Sequence, residues 1–314
     1  MERGKGNPIL SRTSNHDLSD YRFMNFAYRS QPFQDWASQQ WNIWRGKRIA
    51  PDDAPWLLGP FGKVGAQADD FITTIAADEG LTVDRNMKTG GLLSSIHDLE
   101  LSTSASERLR PEIIDFYENT ASYALDLKIE WRSHFSILGR LVSFLYSNRL
   151  KQLNFPTNQR VLSDGVNSEV IALRDPATGN AKHTAWYRTF ISSGRVLYSG
   201  IYSTCKLPSG KLCIKAVFPL PRGNATVFLE PAVGANGELC LTSSGKMYGD
   251  PGFYFLVNDS KGCHWANYVR SFRERLNVFV DKSGKLRAEH TVTLWKQRVF
   301  TISFRLSRRE NSCS

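Results

Sequence analysis

The sequence predicts an α+β chain in which a helical N-terminal part packs on a C-terminal antiparallel β-barrel or strongly curled meander sheet. Three observations indicate the sheet: turn sequences that recur between residues 168 and 306, strand-like alternation between the turns, and short connections. Parallel neighbours need a crossover of about a dozen residues, so these successive strands are expected to be antiparallel. We therefore predict a meander of about eight to ten strands. A sheet of that size is expected to curl or close, because it is twisted and its open edges favour aggregation.

The turn sequences combine Gly with Pro, Asp, Asn or Ser, which start turns or tolerate a positive φ angle. They recur roughly every 12 to 20 residues, and Val, Ile, Thr, Tyr and Phe are common between them. The turns lie at residues 175–180, 192–194, 208–210, 221–224, 234–237, 259–262 and 281–284.

Apolar side chains occupy every second position in several of the segments between these turns. Residues 212–218 and 286–294 both show this period of two, which a helix would not hold. A closed barrel of this size can hold one small ligand. The aromatic residues predicted to line such a cavity and bind the ligand are Trp186, Tyr198, Tyr202, Phe218 and Tyr254. Gly200 lies between two of them, and an internal strand Gly often marks a bulge or the close approach of a ligand.

Two polar residues fall on the apolar faces of adjacent predicted strands. Glu274 lies in the strand at 272–281, and His290 lies in the next one, at 286–294. If the tight turn between them closes a hairpin, Leu276 faces His290 and Glu274 is the diagonal neighbour. A carboxylate beside an imidazole would fix the imidazole tautomer and suit general acid–base catalysis. The alternatives are an internal polar pair without a catalytic role, or a different register.

The length and the net charge of the chain limit the number of domains and the kinds of partner. The 314 residues predict one large domain or two intimately packed ones, and the 41% hydrophobic content fits a soluble globular protein. The net charge of +10 permits contact with nucleic acid, an anionic membrane or an acidic partner. The basic residues form no long run, which favours scattered solvated charge and makes nucleic acid the weaker partner.

Location and redox state are predicted from what the sequence lacks. The first ten residues contain no apolar signal region, and no run of 18 apolar residues would span a membrane. We therefore expect a cytoplasmic protein. The five cysteines form no CxxC pair and are odd in number, which predicts reduced and mostly buried thiols. We expect no metal site and no cofactor, since the sequence contains neither the residue spacing of metal ligands nor a dinucleotide-binding fingerprint. It also lacks the Gly-x-Ser-x-Gly elbow of a serine nucleophile.

The predicted organisation is a disordered tail at 1–16, a helical region at 17–160, the barrel at 168–306 and a tail at 307–314. Within the helical region, Trp36, Gln40 and Trp44 share one face of a short helix, with Phe33 beside it. We expect these aromatics to dock that helix on the barrel, with an exposed binding platform as the alternative.

Two longer helices are predicted at 111–131 and 134–154. The second is basic and amphipathic. We expect it to pack on the sheet, and contact with a membrane surface is the alternative.

Several stretches resemble bacterial proteins of no assigned function. They are FYENT at 116–120, KQLNFP at 151–156, FPLP at 218–221 and GDPGFY at 249–254. The resemblance covers most of residues 110–306 and implies no activity, ligand or site.

The predicted function is binding of a small hydrophobic ligand, a lipid or an aromatic metabolite, in the barrel. One alternative is a cofactor-free cyclase, isomerase, hydratase or other lyase that uses His290 and Glu274. The other is a basic-surface protein at a membrane or on nucleic acid. The sequence predicts no oligomeric state.

Overall fold

A computed structural model describes residues 26–29, 31–62, 70–85, 90–131, 166–191, 193–194 and 196–309. The described helices are α1 (Phe33–Arg45), α2 (Asp70–Glu79), α3 (Thr103–Arg108) and α4 (Pro111–Glu118). The first seven strands are β1 (Lys47–Ile49), β2 (Thr82–Asp84), β3 (Tyr123–Trp131), β4 (Val166–Arg174), β5 (Ala181–Phe190), β6 (Val196–Lys206) and β7 (Leu212–Leu220). The other seven are β8 (Gly223–Val233), β9 (Leu239–Thr242), β10 (Phe253–Asn258), β11 (His264–Tyr268), β12 (Phe272–Val280), β13 (Leu286–Leu294) and β14 (Gln297–Arg308).

Ten antiparallel strands close a barrel, as the sequence predicts. Their order around the wall is β8, β7, β6, β5, β4, β3, β14, β13, β12 and β9, and β9 pairs with β8 again. Strand β8 closes the ring because its second half pairs with β9 while its first half pairs with β10. Strands β10, β11 and β1 therefore form a side sheet that extends from β8 outside the barrel.

Within the described residues, the helical part is smaller than predicted. The helix expected at 111–131 ends at Glu118, and residues 123–131 form the barrel strand β3. The physical reason is a period of two. Tyr123, Leu125, Leu127 and Ile129 are buried, whereas the alternate positions 126 and 128 are exposed. The regular structure of the described residues is therefore mostly β. The predicted helix at 134–154 and the predicted tail at 1–16 lie outside the described residues.

The outer wall of the barrel is also covered. Helix α2 packs its apolar side against outward residues of β4, β5 and β6, and Ile72 is fully buried there. The segment 54–61 covers the outer side of β7, β8 and the side sheet, with Leu57 fully buried. Burial on both faces explains why several strands carry near-continuous apolar runs instead of strict alternation.

The buried thiol of Cys213 gives a first testable consequence of this packing. Desolvation by burial raises the pKa of Cys213 to about 12. At pH 8 only roughly one thiol in ten thousand would be ionised, and the thiolate is the reactive form. We expect iodoacetamide at pH 8 to spare Cys213 in the folded protein and to label it after denaturation, as measured by peptide mass spectrometry. Labelling in the native state as fast as that of the half-buried Cys263 would contradict the described packing.

Candidate functional site

A cavity of about 90 Å³ occupies the barrel interior. A single water needs roughly 10 to 15 Å³ on this scale, so there is room for about six to nine waters or a ligand of that size. The wall is mainly apolar. Its apolar side chains include Leu127, Ile214, Val227, Leu276, Ile302 and Phe304.

One end of the cavity is covered by residues that precede the barrel. Leu92 and Leu93 line the cavity together with Phe116 and Tyr117 of α4. The backbone N–H of Leu93 donates to the carbonyl of Tyr117 at 3.2 Å, which holds the two segments together. Sequence reasoning missed this cover, because its residues lie outside the run of strands and meet it only through long-range contacts.

Three of the predicted aromatic residues, Trp186, Tyr202 and Phe218, line the cavity. The indole N–H of Trp186 donates to Ser168 Oγ at 2.8 Å, and its ring meets that of Tyr202 edge-on. The backbone of Tyr198 lies in β6, but its side chain is outside the described part of the protein.

Gly200 allows a close approach within the wall. A Cβ atom at this position would lie 2.8 Å from Cε1 of Phe218, closer than real Cβ contacts come. The group that needs the space is therefore the Phe218 ring on the neighbouring strand. The glycine contributes to the shape of the cavity indirectly, by letting the ring of an aromatic lining residue lie close to the β6 backbone.

Tyr254 does not line the cavity, so that interpretation is corrected. It is fully buried outside the barrel, where its ring packs against Trp56, Phe228 and Tyr248. Its hydroxyl donates to the carbonyl of Asp250 at 2.6 Å. The cause is topological, because β10 belongs to the side sheet and the segment 54–61 covers its outer face.

Glu274 and His290 both line the cavity and meet there. Leu276 pairs with His290 across β12 and β13, which is the register that the hairpin turn predicts. Oε2 of Glu274 lies 3.0 Å from Nε2 of His290, and both side chains are largely buried. The backbone of Glu274 is held by Ser243, whose Oγ accepts from its N–H at 2.7 Å and whose N–H donates to its carbonyl at 3.0 Å. The catalytic role of the pair stays a prediction.

Arg188 is a third polar lining residue, and sequence reasoning missed it. It lies on the inner face of β5, and only 6% of it is exposed. Its guanidinium carbon is 4.1 Å from the centre of the Trp186 ring and 6.0 Å from that of Phe304. The rule that selected Glu274 and His290, a polar residue on the apolar face of a strand, would have found it between Trp186 and Phe190.

Tyr117 of α4 is a further lining residue with a polar group. Burial raises the pKa of Tyr117 well above its usual range, and the nearby Tyr202 adds to the effect. The phenol therefore stays protonated at any physiological pH and can donate a hydrogen bond. In the ranges that the structure describes, His, Cys, Asp and Glu side chains form no group of three suited to a metal ion.

The fold and the cavity define a class: a ten-stranded antiparallel barrel with an apolar interior that contains a few polar side chains. No protein-family model matches the chain, and no solved structure matches it. The chain is 25% identical over 271 residues to the uncharacterized membrane protein YndJ of Bacillus subtilis (strain 168). This agrees with the predicted resemblance to bacterial proteins of no assigned function.

The alignment covers 85% of this chain and 46% of the Bacillus protein, so the chain spans about half the length of the curated relative it matches. The similarity supplies no activity and no ligand. The longest described helix, α1, has 13 residues, and no described helix is suited to span a bilayer. The cytoplasmic location stays a prediction.

Proposed function

We propose that the barrel binds a small hydrophobic ligand in its cavity. The observation that supports this most directly is the apolar interior that the strands leave unfilled. An empty cavity of 90 Å³ would cost about 2 kcal/mol at roughly 24 cal/mol per Å³, and a bound apolar ligand would recover this free energy. Apolar walls with a few polar groups are typical of ligand sites.

The size of the cavity narrows the class of ligand. A cavity of about 90 Å³ is smaller than the roughly 150 Å³ void that holds benzene, so a single aromatic ring or a short acyl chain fits with a small shift of the lining side chains. A long-chain lipid would not fit without a rearrangement of the walls. Of the two predicted kinds of ligand, an aromatic metabolite is therefore favoured over a lipid. Its ring would contact Trp186, Tyr202 and Phe218.

The polar lining residues would fix how such a ligand lies. Its apolar body would contact residues such as Leu127 and Ile302, and its polar end would meet Arg188 or the Glu274–His290 pair. A ligand with an apolar body and one hydrogen-bonding end satisfies both parts of the wall.

The proposal is tested with the full chain purified from its own host. Native mass spectrometry is expected to show a retained small molecule, and calorimetric titration of the emptied protein with p-cresol is expected to show saturable binding at one site. Repeated purification without any retained molecule, together with no measurable binding of p-cresol or of hexanoate, would overturn the proposal.

The contact between Glu274 and His290 favours a second candidate function, cofactor-free proton transfer on the bound ligand. We expect the protein to catalyse exchange of acidic C–H protons of its retained ligand with deuterated water, as measured by NMR. His290→Ala should slow this exchange about 100-fold or more, because general acid–base groups commonly contribute that much. The melting temperature should stay close to that of the wild type. Unchanged exchange in the variant would leave the pair a structural contact.

A further inference from the structure

Helix α1 carries three of its four large aromatic residues on the side that faces solvent. Phe33 is 76% exposed, Trp41 is 45% exposed and Trp44 is 61% exposed. Because residues three or four positions apart share a helix face, Trp41 and Trp44 are neighbours, and Phe33 lies along the same side. The prediction that Phe33 and Trp44 dock the helix on the barrel is therefore wrong, and of that set Trp36 packs in the cluster beside β10 and β11.

The buried side of α1 is unusually polar. Gln39 donates from Nε2 to the carbonyl of Pro221 at 2.9 Å, and both Gln39 and Asn42 are buried. The Asn42 Oδ1 atom accepts from Nδ2 of Asn267 at 2.9 Å. Ile43 and, in part, Trp36 supply the apolar side of this contact. A surface helix normally does the reverse and buries its apolar side. Hydrogen bonds thus fix α1 with its aromatic side turned outward.

Exposed cationic residues precede and follow the aromatic residues of α1 along the chain. Four of the five charged residues in 26–50 are basic, and all four are exposed: Arg29, Arg45, Lys47 and Arg48. The acidic exception is Asp35, and further acidic residues follow only after β1, at Asp52 and Asp53. Three of the cations lie in the last turn of α1 and in the edge strand β1, directly beyond Trp44.

We propose that α1 and β1 form a surface that binds an anionic lipid membrane. Tryptophan is enriched at the membrane–water interface, where its ring lies among the headgroups. Basic residues beside it are attracted to anionic lipids, each by a modest amount at the surface. A helix of 13 residues is about 20 Å long and can lie flat in the interface with one side immersed. The aromatic residues stand on a convex helix rather than in a groove, which suits a planar bilayer better than an inserted peptide.

The test measures co-sedimentation of the full chain with vesicles of phosphatidylcholine and phosphatidylglycerol, compared with vesicles of phosphatidylcholine alone. We expect binding to the anionic vesicles that weakens as salt is raised. The pair Trp41→Ser and Trp44→Ser should reduce binding about tenfold or more, because two interfacial rings are lost. The matched control is Trp295→Ser, which removes a 69% exposed tryptophan from the β13–β14 turn and should bind like the wild type.

Charge is tested in the same assay. The triple change Arg45→Gln, Lys47→Gln and Arg48→Gln should weaken binding to anionic vesicles about tenfold or more. The matched control removes three exposed charges at and near the β12–β13 turn, by Lys282→Gln, Lys285→Gln and Arg305→Gln, and should leave binding nearly unchanged. Melting temperatures verify that every variant is folded.

Two results would overturn the proposal outright. One is a wild-type protein that binds neither kind of vesicle. The other is a Trp295 or charge control that loses as much binding as the α1 variants. Light scattering that shows a dimer, lost in the Trp41 and Trp44 variant, would assign the surface to a second copy of the chain. Binding to duplex DNA that depends on the same cations, without vesicle binding, would assign it to nucleic acid.

Discussion

Gly91→Ala is expected to lower the free energy of unfolding by about 3 kcal/mol or more, because the new side chain would enter occupied space. A Cβ atom at Gly91 would lie 1.9 Å from the carbonyl oxygen of Tyr117 and 2.5 Å from the carbonyl carbon of Glu118. Both contacts are backbone atoms of α4, so no side-chain rotation can relieve them. The segment that contains Leu92 and Leu93 would have to move away from α4, which opens the cover of the cavity.

Urea unfolding followed by circular dichroism measures this effect. Gly210→Ala is the matched control, since its Cβ atom would meet nothing within 4 Å and only its positive φ of 81° opposes the change. We expect the control to cost about 1 kcal/mol. Equal losses in the two variants would show that residues 90–93 do not pack on α4 as described.

Ala288→Phe is expected to abolish ligand binding while the protein stays folded. Ala288 lines the cavity on β13, where it pairs with Val278 on one side and Phe304 on the other. The added phenyl ring would take up most of a cavity that has room for about six to nine waters. We expect affinity for p-cresol to fall about 100-fold or more, or ~2.7 kcal/mol, because the ring and the ligand compete for the same space.

The same substitution on the surface is the control. Ala177→Phe adds a phenyl ring to an exposed turn between β4 and β5 and should bind p-cresol like the wild type. The melting temperature of Ala288→Phe should be equal to or above that of the wild type, since the ring fills a void. Full binding by a folded Ala288→Phe protein would place the ligand somewhere other than the barrel interior.

The contact between Glu274 and His290 could be predicted because it depends on one local hairpin. The 281–284 turn sets the register of β12 and β13, and that register brings the two side chains to the same face. Most barrel strands could be predicted for the same reason, since neighbours in sequence pair with each other.

Features set by distant parts of the chain could not be predicted in this way. Strand β3 pairs with β14, far along the chain, so nothing near residues 123–131 indicated a partner. Tyr254 alternates like a lining residue, but only the pairing of β10 with the first half of β8 places it outside the barrel. The orientation of α1 depends on two distant partners. Asn267 bonds to Asn42 and Pro221 bonds to Gln39, and these hydrogen bonds outweigh the tendency of the aromatic residues to be buried.

A crystal structure of the full chain grown with p-cresol would test the central claim most directly. We expect electron density for one ring inside the barrel, in contact with Trp186 and Phe218 and with its hydroxyl toward Arg188 or His290. An interior filled by repacked side chains, or p-cresol bound only at the outer surface, would contradict it.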